Sequence, residues 1–154
     1  ELCNEAGGQS SISLSDPFCV DRHRDAFHDL IANHINMLFC NEHEVLAMYG
    51  GENLQDSIIN GAKYVDTLVC TAGANGAYIA NKGKIIHVPS NPVNLVDATG
   101  AGDLFAAGFL AGLSQGKSLE ICGKMGNISA GEVISSMGAR PQTSLQDLFE
   151  INKL

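Results

Sequence analysis

Short apolar runs alternate along the chain with longer segments in which apolar residues recur at helical spacing. The apolar runs predict buried strands at residues 35–40, 66–71, 77–80 and 84–88, with a further short one at 93–96. A spacing of three and four residues predicts helices at residues 21–32, 41–49, 54–61, 101–114, 118–136 and 145–152. The segment 11–14 is short, leans apolar and ends at the turn residues Ser15-Asp16-Pro17.

This order of elements predicts a layered α/β fold with a largely parallel sheet, because helices that alternate with strands cover the faces of such a sheet. The turn Asn81-Lys82-Gly83 joins two predicted strands and indicates an antiparallel hairpin at one edge. The helix at 101–114 is nearly uncharged, which predicts deep burial. A chain of 154 residues has the size of one domain, or of part of one.

Composition narrows the classes of partner. The net charge of −8 and the lack of a basic cluster argue against nucleic acid and anionic membranes as main partners. No apolar run approaches the ~20 residues that span a bilayer. Neither histidines nor cysteines show metal-ligand spacing. The chain starts with Glu1 rather than Met, so we expect it to begin inside a longer gene product.

The cysteines indicate a reducing compartment. They are five in number, an odd count without a C-x-x-C pair, which argues against a disulfide framework and predicts a cytoplasmic location. Three of them lie in or beside apolar segments and are expected to be buried thiols: Cys19, Cys40 and Cys70.

The candidate chemistry centres on residues 97–103, D-A-T-G-A-G-D. Small residues at the start of a helix let backbone N–H groups approach a bound anion, usually a phosphate. Asp103 would be repelled by a phosphate unless it takes the proton of a hydroxyl that attacks it. A glycine-rich turn with an acid in the first helical turn, favoured by the helix dipole alone, is the plain alternative.

The whole string resembles the second signature of the ribokinase (PfkB) family of carbohydrate and nucleoside kinases, D-T-x-G-A-G-D, with Ala98 where Thr is common. The resemblance implies a ribokinase-like α/β fold and an ATP-dependent transfer of the γ-phosphate. Asp103 would be the base, and the N–H groups of Gly100, Ala101 and Gly102 would stabilise the transferred phosphoryl group.

Two further stretches resemble family motifs in the expected order. Asn41-x-x-Glu44 follows a predicted strand and resembles the N-x-x-E that orders magnesium through water; an Asn N-cap with acids in the first turn is the alternative. Thr71, Gly73 and Gly76 form a T-x-G-x-x-G that contacts ATP phosphates in relatives, although approaches to hairpins look similar.

Towards the end of the chain, Gly138-Ala139-Arg140-Pro141 resembles the family's G-A-x-P near the adenine pocket. In relatives, carbonyls there bind a monovalent cation together with the first aspartate of the signature. That would give Asp97 and Gly138 a potassium site, and a glycine C-cap followed by proline explains the same letters. Asn127 would flank the adenine.

The resemblance covers the C-terminal half of a typical member, residues 1–154 being the ATP-binding and catalytic part without the N-terminal substrate and lid half. It implies ATP, magnesium and a small-molecule acceptor, with an adenosine-like nucleoside ranked ahead of a sugar. Two alternatives stay open: a nucleotide-binding module or fragment inactive alone, and a structural domain. An edge strand exposed by the missing half favours association, and a homodimer stays open.

Overall fold

The computed structural model describes residues 2–154; Glu1 lies outside the described residues. Contacts divide the chain into two compact units, one formed by residues up to Thr71 with Tyr78–Ile86, the other by Ala72–Ala77 with His87–Leu154. The helices are α1 Leu2–Glu5, α2 Pro17–His34, α3 Glu42–Tyr49, α4 Leu54–Gly61, α5 Ala101–Ser114, α6 Leu119–Ile134 and α7 Leu145–Ile151. The strands are β1 Ser11–Ser13, β2 Met37–Asn41, β3 Thr67–Thr71, β4 Ala77–Asn81 and β5 Lys84–Val88, with a 3₁₀ turn at Gly73–Asn75.

The five strands form one sheet in the order β1-β2-β3-β4-β5. β1, β2 and β3 are parallel, and Asn41 pairs with Thr71 at the carboxyl ends of β2 and β3. The connections on either side of β4 are too short for a parallel crossover, so β4 and β5 run antiparallel to their neighbours. The α/β class and the antiparallel hairpin at one edge are confirmed.

The core of the first unit lies between the sheet and helices α2 to α4. Alternate residues of the central strands, among them Leu38, Cys40, Leu68 and Cys70, are buried together with Ile31 and Ile58 from the helices. Residues that alternate onto the opposite face of the strands, such as Val69, are buried as well. Strands buried on both faces explain the continuous apolar runs in the sequence.

Helix α2 begins four residues before the predicted start at residue 21. The side chain of Asp16 accepts from the N–H of Cys19 at 2.8 Å, and Pro17 occupies the first helical position. Proline is favoured there because its missing N–H would have no helical partner anyway. Asp16-Pro17 is therefore a helix start rather than only a turn. The Cys19 thiol is half-buried, whereas Cys40 and Cys70 are buried as predicted.

Helices α5 and α6 pack against each other over their length in the second unit. A side chain at Gly108 would overlap the Ser129 hydroxyl and come within 2.6 Å of the Met125 carbonyl, so only glycine permits this approach. The prediction that α5 is deeply buried is wrong. Only four of its residues are buried: Phe105, Gly108, Phe109 and Gly112. The helix is nearly uncharged because many of its other positions hold small residues, not because it is buried on all sides.

The strand predicted at residues 93–96 is wrong as well. This segment lies beside α6 without strand pairing, and the N–H groups of Val96 and Asp97 both donate to the carbonyl of Ile134, at 2.8 and 3.2 Å. Val93, Leu95 and Val96 remain exposed. Apolar residues alone could not distinguish this extended segment from a strand, because its hydrogen bonds go to a helix end.

No helix of residues 2–154 is long and apolar enough to cross a membrane.

Candidate active site

The residues of the first unit that were predicted to bind the nucleotide and magnesium lie at the carboxyl ends of β2 and β3. Asn41 is the last residue of β2 and Thr71 the last of β3, and the two are paired in register. The carboxyl ends of parallel strands are where ligands bind in open α/β sheets. The Thr71 hydroxyl donates to the Cys40 carbonyl at 3.4 Å, which fixes it against the neighbouring strand.

Asn41 and Glu44 form a complete capping box at the start of α3. The Asn41 side-chain oxygen accepts from the N–H groups of His43 and Glu44, both at 2.9 Å. The Glu44 carboxylate accepts from the Asn41 N–H at 2.9 Å and from its side-chain amide at 2.7 Å. The chain's own groups therefore satisfy this helix end, as the plain N-cap alternative requires.

The Glu44 side chain is buried, with only 4% of its surface exposed. Burial raises its pKa, and the Asp16 carboxylate raises it further, while the Asn41 N–H opposes the shift. Asp16 was predicted only as part of a turn. Because the Asp16 carboxylate raises the pKa of Glu44, the two carboxylates lie near each other at this end of the sheet. The motifs did not predict this proximity.

Magnesium fits these residues only through water. Each Glu44 oxygen already accepts one hydrogen bond from Asn41, and the carboxylate is nearly inaccessible, which argues against direct coordination. A second lone pair on each oxygen can still accept from a water of a hydrated ion. Residues 2–154 contain no group of three or more His, Cys, Asp or Glu side chains that could hold a metal ion.

In the second unit, the start of α5 has no side-chain cap. Gly100 is the N-cap residue at φ +81°, and a side chain there would meet Ala139 at 2.9 Å. The Ala101 N–H donates to the Ala98 carbonyl at 3.2 Å, whereas those of Gly100, Gly102 and Asp103 find no acceptor within residues 2–154. Every other helix from α2 to α7 has a side chain at its N-terminus that accepts from the first turn.

Asp103 lies in this open first turn with its side chain exposed. Within the described chain its carboxylate makes neither a hydrogen bond nor an ion pair. The space beside Gly102 is also open, since a side chain at that position would meet nothing within 4 Å. The first turn of α5 therefore offers unpaired N–H donors next to an unpaired carboxylate, which suits an anion that reacts with a hydroxyl.

Asp97 and Gly138 are 41 residues apart in sequence and in direct contact. One Asp97 oxygen accepts from the Thr99 N–H at 2.9 Å and the Thr99 hydroxyl at 2.7 Å, and the other from the Gly138 N–H at 2.9 Å. These three hydrogen bonds, that of the Thr99 hydroxyl foremost, lower the pKa of Asp97. The carboxylate thus fastens the loop before α5 to the loop after α6.

Glu132, which the motifs do not include, holds the same loop after α6. One of its carboxylate oxygens accepts from the N–H groups of Gln142 and Thr143 at 2.9 and 2.6 Å. The other oxygen is buried and has no hydrogen-bond partner within residues 2–154. A single acidic residue in the middle of a helical pattern gave no signal for this role.

Gly76 and Asn127 both contact the segment that follows β5. Gly76 has φ +86°, and a side chain there would overlap the Val88 carbonyl. The Asn127 side-chain amide donates to the carbonyls of Val88 and Pro89 at 3.0 and 3.1 Å. Gly73, at φ +52°, has open space instead. Of the predicted nucleotide residues in this unit, Gly76 and Asn127 make structural contacts, whereas Gly73 and Gly102 border open space.

Similarity to known proteins identifies the family of the chain. Residues 1–146 match the family described as pfkB family carbohydrate kinase. The chain belongs to this family. A cytidine kinase of Thermococcus kodakarensis is 37% identical over 123 residues, which cover 76% of this chain and 43% of that protein.

Two solved structures are similar to the chain over 97% of its length. A probable sugar kinase from Rhizobium etli has a TM-score of 0.94 at 39% identity, and an adenosine kinase from Sinorhizobium meliloti has 0.93 at 35%; the chain covers 46% of each. The ribokinase-like fold is thereby confirmed as a partial domain. This pfkB chain spans less than half the length of these relatives.

Proposed function

We propose that the chain carries the ATP-binding and phosphate-transferring part of a small-molecule kinase, with Asp103 as general base. The observation that carries the proposal is the uncapped start of α5, where free N–H groups stand beside an unpaired carboxylate. The membership of the pfkB family supports a kinase, and the similarity to solved kinases extends across this helix.

In this proposal Asp103 accepts the proton of the acceptor hydroxyl as that oxygen bonds to the γ-phosphorus of ATP. The bond between the γ-phosphorus and the bridging β–γ oxygen breaks, and ADP leaves with that electron pair. The N–H groups of Gly100, Gly102 and Asp103 stabilise the charge on the transferred group. Ala101, predicted for the same role, contributes little because its N–H is held by Ala98.

Asn41, Thr71 and Gly73 bind the nucleotide phosphates in this proposal, and Glu44 would hold magnesium, the other half of the cofactor, through water. Magnesium, when bound, draws charge from the phosphate oxygens. Gly76 and Asn127 act indirectly, by fixing the backbone around them. Asp97 and Gly138 position the loop that leads into Gly100.

The acceptor is proposed to be the hydroxyl of a nucleoside, with a sugar as the second choice. The names of the Thermococcus cytidine kinase and the Sinorhizobium adenosine kinase favour a nucleoside, and that of the Rhizobium protein favours a sugar. A panel of adenosine, cytidine, ribose and fructose, assayed with the protein as its gene encodes it, distinguishes the two. Turnover confined to the sugars would reject the nucleoside proposal.

The test of the base is Asp103→Asn in the protein as its gene encodes it. Loss of a general base lowers kcat by about 10²- to 10⁴-fold, while ATP affinity measured by calorimetry changes little because Asn keeps the shape and the N–H groups. Asp147→Asn, in the first turn of α7, is the matched control and should keep full activity. Transfer by Asp103→Asn at close to the unaltered rate would eliminate Asp103 as the base.

The alternative is a module that binds the nucleotide without transferring phosphate. In that case ATP binds with magnesium, but no acceptor is phosphorylated. The potassium site stays a prediction without support, since both Asp97 oxygens are already hydrogen-bonded to Thr99 and Gly138. The cytoplasmic location and the homodimer also stay predictions.

A further inference from the structure

A pocket of about 530 Å³ lies within the first unit, between α4 and the turn that joins β4 to β5. Its volume falls in the range of about 300–1,000 Å³ that is typical of small-molecule sites. Gln55, three lysines and two isoleucines are among the residues that line it; the lysines and isoleucines are Lys63, Lys82, Lys84, Ile59 and Ile85.

The pocket concentrates positive charge in an acidic chain. The chain has nine basic and seventeen acidic residues, and three of the nine basic ones line this pocket. The Lys63 ammonium donates to the side chain of Asn60 at 3.0 Å. The ion pairs within residues 2–154 involve Arg24, His43 and Lys124. None of the three pocket lysines is paired with a carboxylate in this part of the chain.

Lys82 occupies a backbone conformation that disfavours lysine. It has φ +48° and Gly83 has φ +75°, so both central residues of this two-residue turn are left-handed. Turns of this kind favour Asn-Gly or Gly-Gly, which adopt positive φ with little strain. The turn thus places a charged side chain beside the pocket at a conformational cost that asparagine would avoid.

The wall of the pocket is also apolar. Ile59 has 45% of its surface exposed, and Ile85 is half-buried. The pocket lies at the opposite end of β3 from Thr71, a candidate nucleotide residue of the same unit: Asn81, one of the lining residues, donates to the Asp66 carbonyl and the Thr67 hydroxyl at the amino end of β3. Thr71 ends the same five-residue strand, roughly 13 Å further along.

We propose that this pocket binds a phosphate monoester that carries an apolar or aromatic group. The lysines contact the dianionic phosphate, and the ring lies against the isoleucines. The site is separate from Asn41 and Thr71, and the proposal does not depend on the kinase activity.

The test is a titration with phenyl phosphate, followed by the backbone amide signals of the ¹⁵N-labelled protein as its gene encodes it. The amides of Lys82, Gly83 and Lys84 should shift, both with and without saturating ATP and magnesium. The double variant Lys82→Asn/Lys84→Gln should bind about tenfold more weakly, through the loss of two partly exposed charges. It should keep its fold, since Asn-Gly is favoured in this turn.

The matched control is Lys117→Gln/Lys153→Asn, which removes the same charge elsewhere and also replaces one lysine of positive φ. It should bind phenyl phosphate like the unaltered protein. Three results would overturn the proposal: no shift at the turn, an equal loss of affinity in the control, or shifts that disappear when ATP is saturating. Equally tight binding of inorganic phosphate would overturn the role of the apolar wall.

Discussion

The first turns of helices α3 and α5 share an acidic residue and differ in how the end of the helix is satisfied. Each has an acid at the third helical position, Glu44 in α3 and Asp103 in α5. Glu44 is buried and hydrogen-bonded back to Asn41, so the helix end is closed by the chain itself. Asp103 is exposed beside unpaired N–H groups, so its helix end is open.

The difference follows from the residue before each helix. Asn41 has a side chain that accepts from the first turn, whereas Gly100 has none and takes a left-handed φ against Ala139. Unpaired donors at a helix end are costly unless water or a ligand satisfies them. The comparison therefore indicates that the closed end contributes chiefly to stability and the open end to binding.

The same contrast occurs within one turn, at Gly73 and Gly76, and predicts the largest effect. Gly76→Ala should lower the free energy of unfolding by about 3 kcal/mol or abolish folding, since a methyl group there overlaps the Val88 carbonyl in a left-handed conformation. Gly73→Ala should cost only about 1 kcal/mol, the strain of its positive φ. Urea unfolding measures both; equal costs would refute the distinction between a closed and an open position.

Gly102→Ala sharpens the comparison at α5 itself. Alanine has room there and favours the helix, so stability should stay the same or rise by up to about 1 kcal/mol. The added methyl group should nevertheless weaken ATP binding about tenfold, by about 1.4 kcal/mol, because it obstructs approach to the N–H groups. Calorimetry and urea unfolding give the two values.

The control for this variant is Ala107→Gly, at an exposed position further along α5. It should lower stability by about 1 kcal/mol and leave ATP affinity unchanged. If Gly102→Ala gained stability without any loss of ATP affinity, the glycine would have no role in binding.

The smallest effect is expected at the closed end, as a pH dependence of stability. The pKa of Glu44 is raised in the folded protein, so folding favours its protonated form. This contribution is fully present below the unfolded pKa of about 4.5 and is lost as pH rises through the higher folded value. Glu44→Gln should remove the dependence, so the stability of the variant should improve relative to the unaltered protein between pH 4 and pH 8.

Urea unfolding of both proteins at pH 4, 6 and 8 checks this prediction. The hydrogen bonds from Asn41 offset part of the cost of burial, which keeps the effect small. A stability difference that is the same at every pH would show that Glu44 has an ordinary pKa.

Local patterning predicted most elements because their causes lie within a few residues. Buried strands such as β2 and β3 appear as continuous apolar runs, and α4 and α7 begin at an Asn or a Ser that caps them. The segment at 93–96 was mistaken for a strand because its N–H groups bind Ile134, a residue about forty positions away. The contact of Asp97 with Gly138 is similarly remote, and only the resemblance to the family motifs brought these two residues together.

The candidate site shows the same limit. The motif letters identified Asn41, Glu44 and Asp103 but could not show that two of them are engaged with each other and the third is not. That distinction depends on whether the side chain before the helix can cap it. The roles of Asp16 beside Glu44 and of Glu132 in the loop after α6 were not predicted, because they come from positions in the fold rather than from spacing in the sequence.

The most direct test of the open helix end is a titration of the ¹⁵N-labelled protein, as its gene encodes it, with ATP and magnesium. The backbone amides of Gly102 and Asp103 should show larger shifts than those of His43 and Glu44, which already donate to Asn41. ATP that saturates the protein while the Gly102 and Asp103 amides stay in place would contradict the account.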